Sequence, residues 1–357
     1  MTPARSAIRR FAHTPAASPA ADRILIIRLG ALGDVVRTLP AVEAIRDHYA
    51  EAQVAWLVEP RAAAVLHGQK AIDEILVFPR DVLSRDLRAG RWFAAGRTFY
   101  SFVRELREGR FGLVLDFHSI LKSGILARLS GSSQRVALGP PEGREFSWLF
   151  ANRVVPGDPT RRSRFERNAA MARFLGINDE VLRGYRFEAT EESRLRIEKS
   201  WGDRPNCIAI HPGASPGKSY KRYAAQHYGE VARLLWRSQG VRSLVIRGAD
   251  PDEHDLARTV VEASGGAAEL APETDTASDL AALLARCRIF IGADTGPLHL
   301  AALVGTPVVQ LLGPTDPVQN TPFEGTPSLQ LRVPIACSPC RRGCATAPCM
   351  ALLSPRR

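Results

Sequence analysis

The stretch 290-FIGADTGPLHLAALVGTPVVQLLGPTDP-317 holds Asp294, Thr295, Gly296 and His299 between two apolar runs. Residues 289–293 form a short apolar, β-branched run that predicts a strand. Pro297 suits the first turn of a helix over 297–305, and 307–313 predicts the next strand. A strand, a helix and a further strand of this kind make one unit of a parallel sheet. Thr295 and Gly296 then fall at the helix start, where free backbone N–H groups attract a phosphate oxygen. His299 lies one turn in. Asp294 suits backbone donors or sugar hydroxyls better than a phosphate. Taken alone, these residues also read as a capped helix with a satisfied histidine. The 313-GPTDP-317 loop at the end of the next strand then goes unexplained.

Outward from there the same alternation recurs in two blocks, so the fold class is α/β. Strands are predicted at 207–212, 243–248, 289–293 and 307–313, and earlier at 23–29, 53–59, 72–78 and 112–118. Helices are expected after Asp34, around 97–108, around 120–130 and near 165–175, with a less ordered basic section over 131–164. A chain of 357 residues suits two domains of about 150 residues each. The predicted boundaries are a disordered tail over 1–22, an N-terminal domain over 23–180, an interdomain linker over 181–206, a C-terminal domain over 207–335 and a Cys-rich tail over 336–357.

The 48 Lys and Arg against 37 Asp and Glu give a formal charge of +11, which favours anionic partners or reflects a solvated basic surface. No apolar run reaches the roughly 18 residues of a membrane-spanning helix. The first 22 residues lack a signal peptide's apolar core, so a cytoplasmic setting is expected, with a basic contact at a membrane surface as the alternative for the tail.

Ligands of parallel sheets bind outside the carboxyl ends of strands, so the loops there carry the candidates. In 26-IIRLGALGDVVRTLP-40 a strand runs into Gly30 and Gly33 and then Asp34. The spacing is not a dinucleotide fingerprint, since it lacks the third glycine and adds a carboxylate. Asp34 reads either as a helix N-cap or as a general base taking a proton from a bound hydroxyl. In 211-HPGASPGKSYKRYAAQHY-228 a strand end is followed by Ser215, Lys218 and Lys221, which suit a diphosphate or form an ordinary surface loop.

RLGALGDVVRTLP near the start and GADTGPLHLAALVGTPVVQLLGPTDP near the end together resemble the heptosyltransferases of lipopolysaccharide core assembly, glycosyltransferase family nine. The resemblance runs from about Arg23 to about Gly325. It implies a GT-B architecture of two Rossmann-like domains facing across a cleft. It implies inverting, metal-independent transfer of a heptose from ADP-heptose or a related nucleotide sugar. The acceptor it implies is an anionic glycolipid at the inner membrane surface, with no role for nucleic acid. Asp34 matches the family's general base and Lys221 the lysine that meets the leaving diphosphate. Ser215, Glu253, Asp294, Thr295, Gly296 and His299 match donor-binding positions, and Arg28, Lys122 and Arg144 align with acceptor-side segments. Arg144 reads equally as packing on Trp148.

The tail departs from the best known core heptosyltransferases. In 337-CSPCRRGCATAPCM-350, Cys337, Cys340, Cys344 and Cys349 are spaced to wrap one structural ion, zinc by default or iron, or to remain thiols or disulfides. Cys207 and Cys287 read as small core residues. Cys-rich tails occur in relatives that glycosylate other acceptors, including proteins, so the acceptor stays open between lipid, protein and other glycan. The tail also stands where a long helix crossing back onto the first domain is expected. Two further readings compete with transfer: a non-catalytic nucleotide-sugar-binding protein and a nucleotide-sugar epimerase of the same architecture.

Overall fold

The computed structural model describes residues 21–356 apart from 162, 203–205, 216, 249, 341–343 and 345. The expectation of a disordered tail over 1–22 therefore falls almost wholly outside the described residues. The chain divides into two compact units, Met1–Gly184 and Tyr185–Arg357.

In the first unit six strands, β1 (Arg23–Ile27), β2 (Gln53–Val58), β3 (Glu74–Val77), β4 (Leu113–Asp116), β5 (Gln134–Leu138) and β6 (Arg153–Val155), form one sheet in the order β3-β2-β1-β4-β5-β6. Every pairing is parallel. Successive residues of β1 are buried on both faces: Leu25 and Ile27 join Phe102, Leu106 and Leu126 in one apolar cluster, while Ile24 and Ile26, which point the other way, are equally buried. Burial on both faces is why β1 is apolar without alternation. β5 and β6 lie inside the basic section read as less ordered. They are short and Arg-bearing, so their period-2 signal is weak.

The second unit repeats the plan with β7 (Cys207–His211), β8 (Ser243–Val245), β9 (Ala268–Leu270), β10 (Cys287–Ala293), β11 (Val308–Leu312) and β12 (Ser328–Arg332), ordered β12-β11-β10-β7-β8-β9 and again all parallel. Residues 185–202 are built onto it. Phe187 N–H donates to Leu303 O, and the helix Glu191–Trp201, capped by Thr190, packs on the helix Ala277–Leu284. Cys207 and Cys287, on neighbouring strands, are buried as expected, with sulfurs 3.4 Å apart.

Both sheets have the doubly wound order in which the chain reverses direction of growth between the first and fourth strands. The switch points are β1/β4 in the first unit and β7/β10 in the second. Loops leaving the carboxyl ends of those strands are the expected ligand sites.

Candidate active site

At the β1/β4 switch point Asp34 lies inside the short helix Leu32–Val36, whose N-cap is Ala31. The capping reading of Asp34 is therefore excluded, and its carboxylate does other work. Arg28 lies 2.9 Å from its Oδ2 and Arg37 3.1 Å from its Oδ1, and Arg164 Nη1 also donates to Oδ1. Burial alone would raise the carboxyl's pKa, but the guanidinium groups of Arg28, Arg164 and Arg37 outweigh it and hold it well below the usual carboxylate range. Arg28 is itself fixed, donating from Nη1 to Phe117 O at 2.8 Å.

Arg37, Arg164 and Arg167 escaped the sequence reading. Arg37 was legible as the i+3 partner of Asp34 on one helix. Arg164 and Arg167 come from the helix Arg164–Phe174, whose N-cap is Ser163, and 130 residues separate Arg164 from Asp34. No local pattern signals that contact. Asn168 on the same helix donates to Arg37 O at 2.9 Å and ties the two helices together. Arg167 is half buried in positive company: burial first, then Arg28, Arg164 and Arg144, pull its pKa down to about 10.

The β4 end completes this first cluster. His118 is held neutral, its pKa pulled down to about 3 by burial and then by Arg28, with Lys122 and Arg144 acting in the same direction. Lys122 and Arg144 thus lie within electrostatic reach of the same spot as Arg28 and Asp34. Lys122 is also tied to Glu59, and Arg144 is exposed.

Asp116, fully buried, accepts from Ser119 N at 2.8 Å, His118 N at 3.0 Å and Ser123 Oγ at 2.8 Å. Burial nevertheless pushes its pKa up to about 6. An unfolded Asp titrates near ~3.9, so the folded chain binds this proton more tightly. The resulting stabilisation is complete below about pH 4 and is lost as pH rises through about 6. Asp116→Asn, neutral throughout, is expected to gain up to about 3 kcal/mol on the native chain between about pH 4 and 8, at about 1.4 kcal/mol per pKa unit. Denaturant unfolding at the two pH values measures this. A constant gap would show that Asp116 keeps an ordinary pKa.

At the β7/β10 switch point Asp294 leaves β10 and enters the helix Gly296–Val304, for which Thr295 is the N-cap residue and Pro297 sits in the first turn. Asp294 is buried. Its Oδ2 lies 2.9 Å from Lys221 Nζ and its Oδ1 3.0 Å from His299 Nε2. His299 is fully buried, with its Nε2 on the Asp294 carboxylate. Lys221 ends the short turn Ser219–Lys221, and Ser215 and Lys218 are exposed before it.

Glu253, in the first turn of the helix Pro251–Ser264, accepts from Gly248 N at 2.7 Å and lies 3.5 Å from His211 Nε2. Burial opposes ionisation of Glu253, but the bond from His211 and the Gly248 N–H lower its pKa. A β-carbon on Gly213 would stand 2.3 Å from Glu253 Oε1. Glycine there lets the loop after β7 lie directly on the carboxylate, which braces the ends of β7 and β8 together. The histidine at the end of β7, His211, was quoted in the sequence motif without being recognised as this partner.

The Cys-rich tail packs on the second unit. Cys340 N–H donates to Pro314 O at 2.8 Å, Tyr223 OH donates to Leu353 O at 3.1 Å, and Cys349, Met350 and Leu353 enter the core. Cys349 Sγ lies 2.9 Å from where a β-carbon on Gly313 would stand, whereas Cys337 and Cys344 are exposed. Among the described residues no group of three or more His, Cys, Asp or Glu side chains converges on a point that could hold a metal. The expectation of a zinc or iron ion at Cys337, Cys340, Cys344 and Cys349 is therefore not supported. The tail is anchored instead by its backbone bonds and by Met350 and Leu353.

Two doubly wound units with polar clusters at their switch points, one around Asp34 and one around Lys221 and Asp294, fit the two Rossmann-like domains of a GT-B fold. The model of glycosyltransferase family 9 (heptosyltransferase) matches residues 99–350, well over half of the chain, and the protein belongs to that family and is a glycosyltransferase. It is 23% identical over 313 residues to the lipopolysaccharide core heptosyltransferase OpsX of Haemophilus influenzae, covering 87% of this chain and 84% of that one. It is 26% identical over 337 residues to lipopolysaccharide heptosyltransferase 1 of Pseudomonas aeruginosa, covering 91% and 87%. The structure of the E. coli heptosyltransferase WaaC with ADP-2-deoxy-2-fluoro heptose superposes with a TM-score of 0.68 at 21% identity, covering 87% of this chain and 93% of that one.

Proposed function

We propose that this glycosyltransferase moves a heptose from ADP-heptose to an anionic acceptor, the inner core of lipopolysaccharide, with inversion at the anomeric carbon. The observation that carries the reading is Asp34, a half-buried carboxylate held by Arg28, Arg37 and Arg164 at a switch point. In this reading Asp34 takes the proton of the acceptor hydroxyl as its oxygen attacks the anomeric carbon, and the C–O bond to the diphosphate breaks. The electron pair leaves on ADP, whose charge Lys221 meets. The backbone N–H groups following Thr295 receive a phosphate oxygen, and Asp294, pinned by His299, orients Lys221. Arg28, Arg164, Arg144 and Lys122 hold carboxylates or phosphates of the acceptor, which suits a core rich in such groups and the chain's net positive charge. The relatives named for lipopolysaccharide favour that acceptor over a protein. The chemistry needs no metal ion, since a carboxylate takes the proton and a lysine faces the diphosphate. The work is done on the cytoplasmic side of the membrane, where nucleotide sugars are available.

A donor screen by thermal unfolding tests this. ADP-heptose at about 100 times its dissociation constant should stabilise the protein by about 2.7 kcal/mol, and UDP- and GDP-sugars should shift it far less. Stabilisation confined to a UDP-sugar would rule out ADP-heptose as donor. Binding of ADP-heptose with no transfer to a lipopolysaccharide core acceptor would point instead to another acceptor or to a binding protein.

A further inference from the structure

The first unit carries an aromatic surface that neither switch point uses. Helix Trp92–Glu108 buries Ala95, Phe102 and Leu106 against the sheet. On its outer side Trp92 is 68% exposed, Phe93 98% and Tyr100 71%, with Phe99 partly exposed beside them. At 100° per residue, positions 92, 93, 96, 99 and 100 share one side of the helix, and Arg97 and Arg104 flank it. Large aromatics fully in water are costly unless another phase covers them, and a contiguous patch of them marks an interaction site.

The charge beside this stripe identifies the covering phase. The preceding helix, Arg80–Arg88, packs against Trp92–Glu108, and the two are joined by a turn containing Arg91. Between residues 80 and 104 there are six arginines and only two acids, Asp81 and Asp86. Arg91 pairs with Asp86 at 2.6 Å, Arg80 with Glu59 at 2.6 Å and Arg104 with Glu108 at 3.3 Å, and the excess over these pairs lies on Arg88 and Arg97. A cavity of about 610 Å³ beside the hairpin is lined by Arg61, Arg80, Arg85 and Arg88 together with the acids Glu59 and Asp81, a net excess of two positive charges. Trp and Tyr favour the boundary between water and hydrocarbon, and arginines favour anionic headgroups. No helix among the described residues is long and apolar enough to cross a membrane, so contact through this face would be peripheral.

We propose that the 80–104 hairpin docks the protein on an anionic phospholipid surface, with Trp92, Phe93 and Tyr100 entering the interfacial layer and the arginines meeting lipid phosphates. This goes beyond the catalytic reading and does not depend on it. An aromatic stripe alone would suit a second copy of the chain equally well. The arginine excess on the same face would repel another copy and complements an anionic bilayer.

The test is co-sedimentation of the full chain with vesicles of phosphatidylethanolamine and phosphatidylglycerol, against vesicles of phosphatidylcholine, with neither donor nor acceptor present. Binding is expected to the anionic vesicles and to weaken with salt. The double variant Trp92→Ala and Phe93→Asp should lower the partition coefficient at least about tenfold, with its unfolding temperature within a few degrees of wild type. Arg88→Glu with Arg91→Glu should lower it comparably without touching an apolar group. The proposal is overturned if the wild type binds neither vesicle, if it binds both equally, or if the variants bind as the wild type does. It is also overturned if the wild type is a dimer by sedimentation and the variants are monomers, which would assign the face to a second copy.

Discussion

Asp34→Asn is expected to lower the transfer rate by about 10²–10⁴-fold while leaving the thermal response to ADP-heptose intact. The substitution keeps the shape and removes the proton acceptor. The residues proposed for the donor, Lys221, Asp294 and Thr295, all belong to the other unit. A variant that transfers at the wild-type rate would remove Asp34 from the mechanism. One that no longer responds to donor would show that the change reached the second unit.

The electrostatics refine this expectation. Arg28, Arg164 and Arg37 hold Asp34 ionised well below the usual carboxylate range. A base held so low is a weak proton acceptor, because general bases work best with a pKa near the operating pH. Acceptor carboxylates or phosphates offered to Arg28 and Arg164 would share those charges and return basicity to Asp34 when the hydroxyl is in place. The free enzyme's kcat/KM should therefore show no acid limb from Asp34 near pH ~4, where an ordinary carboxylate titrates. Such a limb, abolished in Asp34→Asn, would contradict the depressed value. The same shift sets stability: the ion pairs contribute fully above the unfolded value near ~3.9 and their contribution is lost as pH falls further. The stability gap between wild type and Asp34→Asn should shrink only in that acid range.

How much of this was legible in the sequence follows from which signals are local. β1, β2, β4, β7, β10 and β11 are apolar runs buried on both faces, and such runs announce themselves. β5, β6, β9 and β12 lie at or next to the sheet edges, with half-exposed polar residues such as Arg153 and Gln330. Their pairing comes from the neighbouring strand, which a local pattern does not contain. The same divide runs through the site. Asp34, Asp294 and His299 sit in motifs whose glycines and prolines mark a strand end and a helix start. Arg164 is a surface-like residue in a basic segment until the fold sets it on Asp34, and Glu253 becomes a brace only because Gly213 lies over it. The four tail cysteines are legible by their spacing, but no group among the described residues supports the ion read from it: Cys349 is buried beside Met350, Cys340 is half-buried, and Cys337 and Cys344 are exposed.

Lys221→Ala is expected to lower kcat by about 10²–10³-fold, with a smaller change in KM. The Lys221 ammonium stands 2.9 Å from Asp294 Oδ2, which offsets part of its charge toward a ground-state donor. When the anomeric C–O bond breaks, negative charge grows on the diphosphate, and a cation already in place stabilises that state more than the ground state. In the proposed mechanism Asp294 and His299 supply the positioning. A buried carboxylate with one oxygen on a histidine and the other on the lysine fixes where the ammonium stands. Asp294→Asn should therefore reduce kcat less than Lys221→Ala, because the cation remains although its tether is weaker, and should destabilise the chain because the half-buried Lys221 loses its counter-charge and the buried His299 its carboxylate partner. Lys221→Arg separates charge from position: it keeps the cation on a wider, planar group, and should recover part of kcat but not all. If Lys221→Ala kept kcat within about twofold, the leaving group's charge would have to be met elsewhere, and the backbone N–H groups after Thr295 would be the next to test.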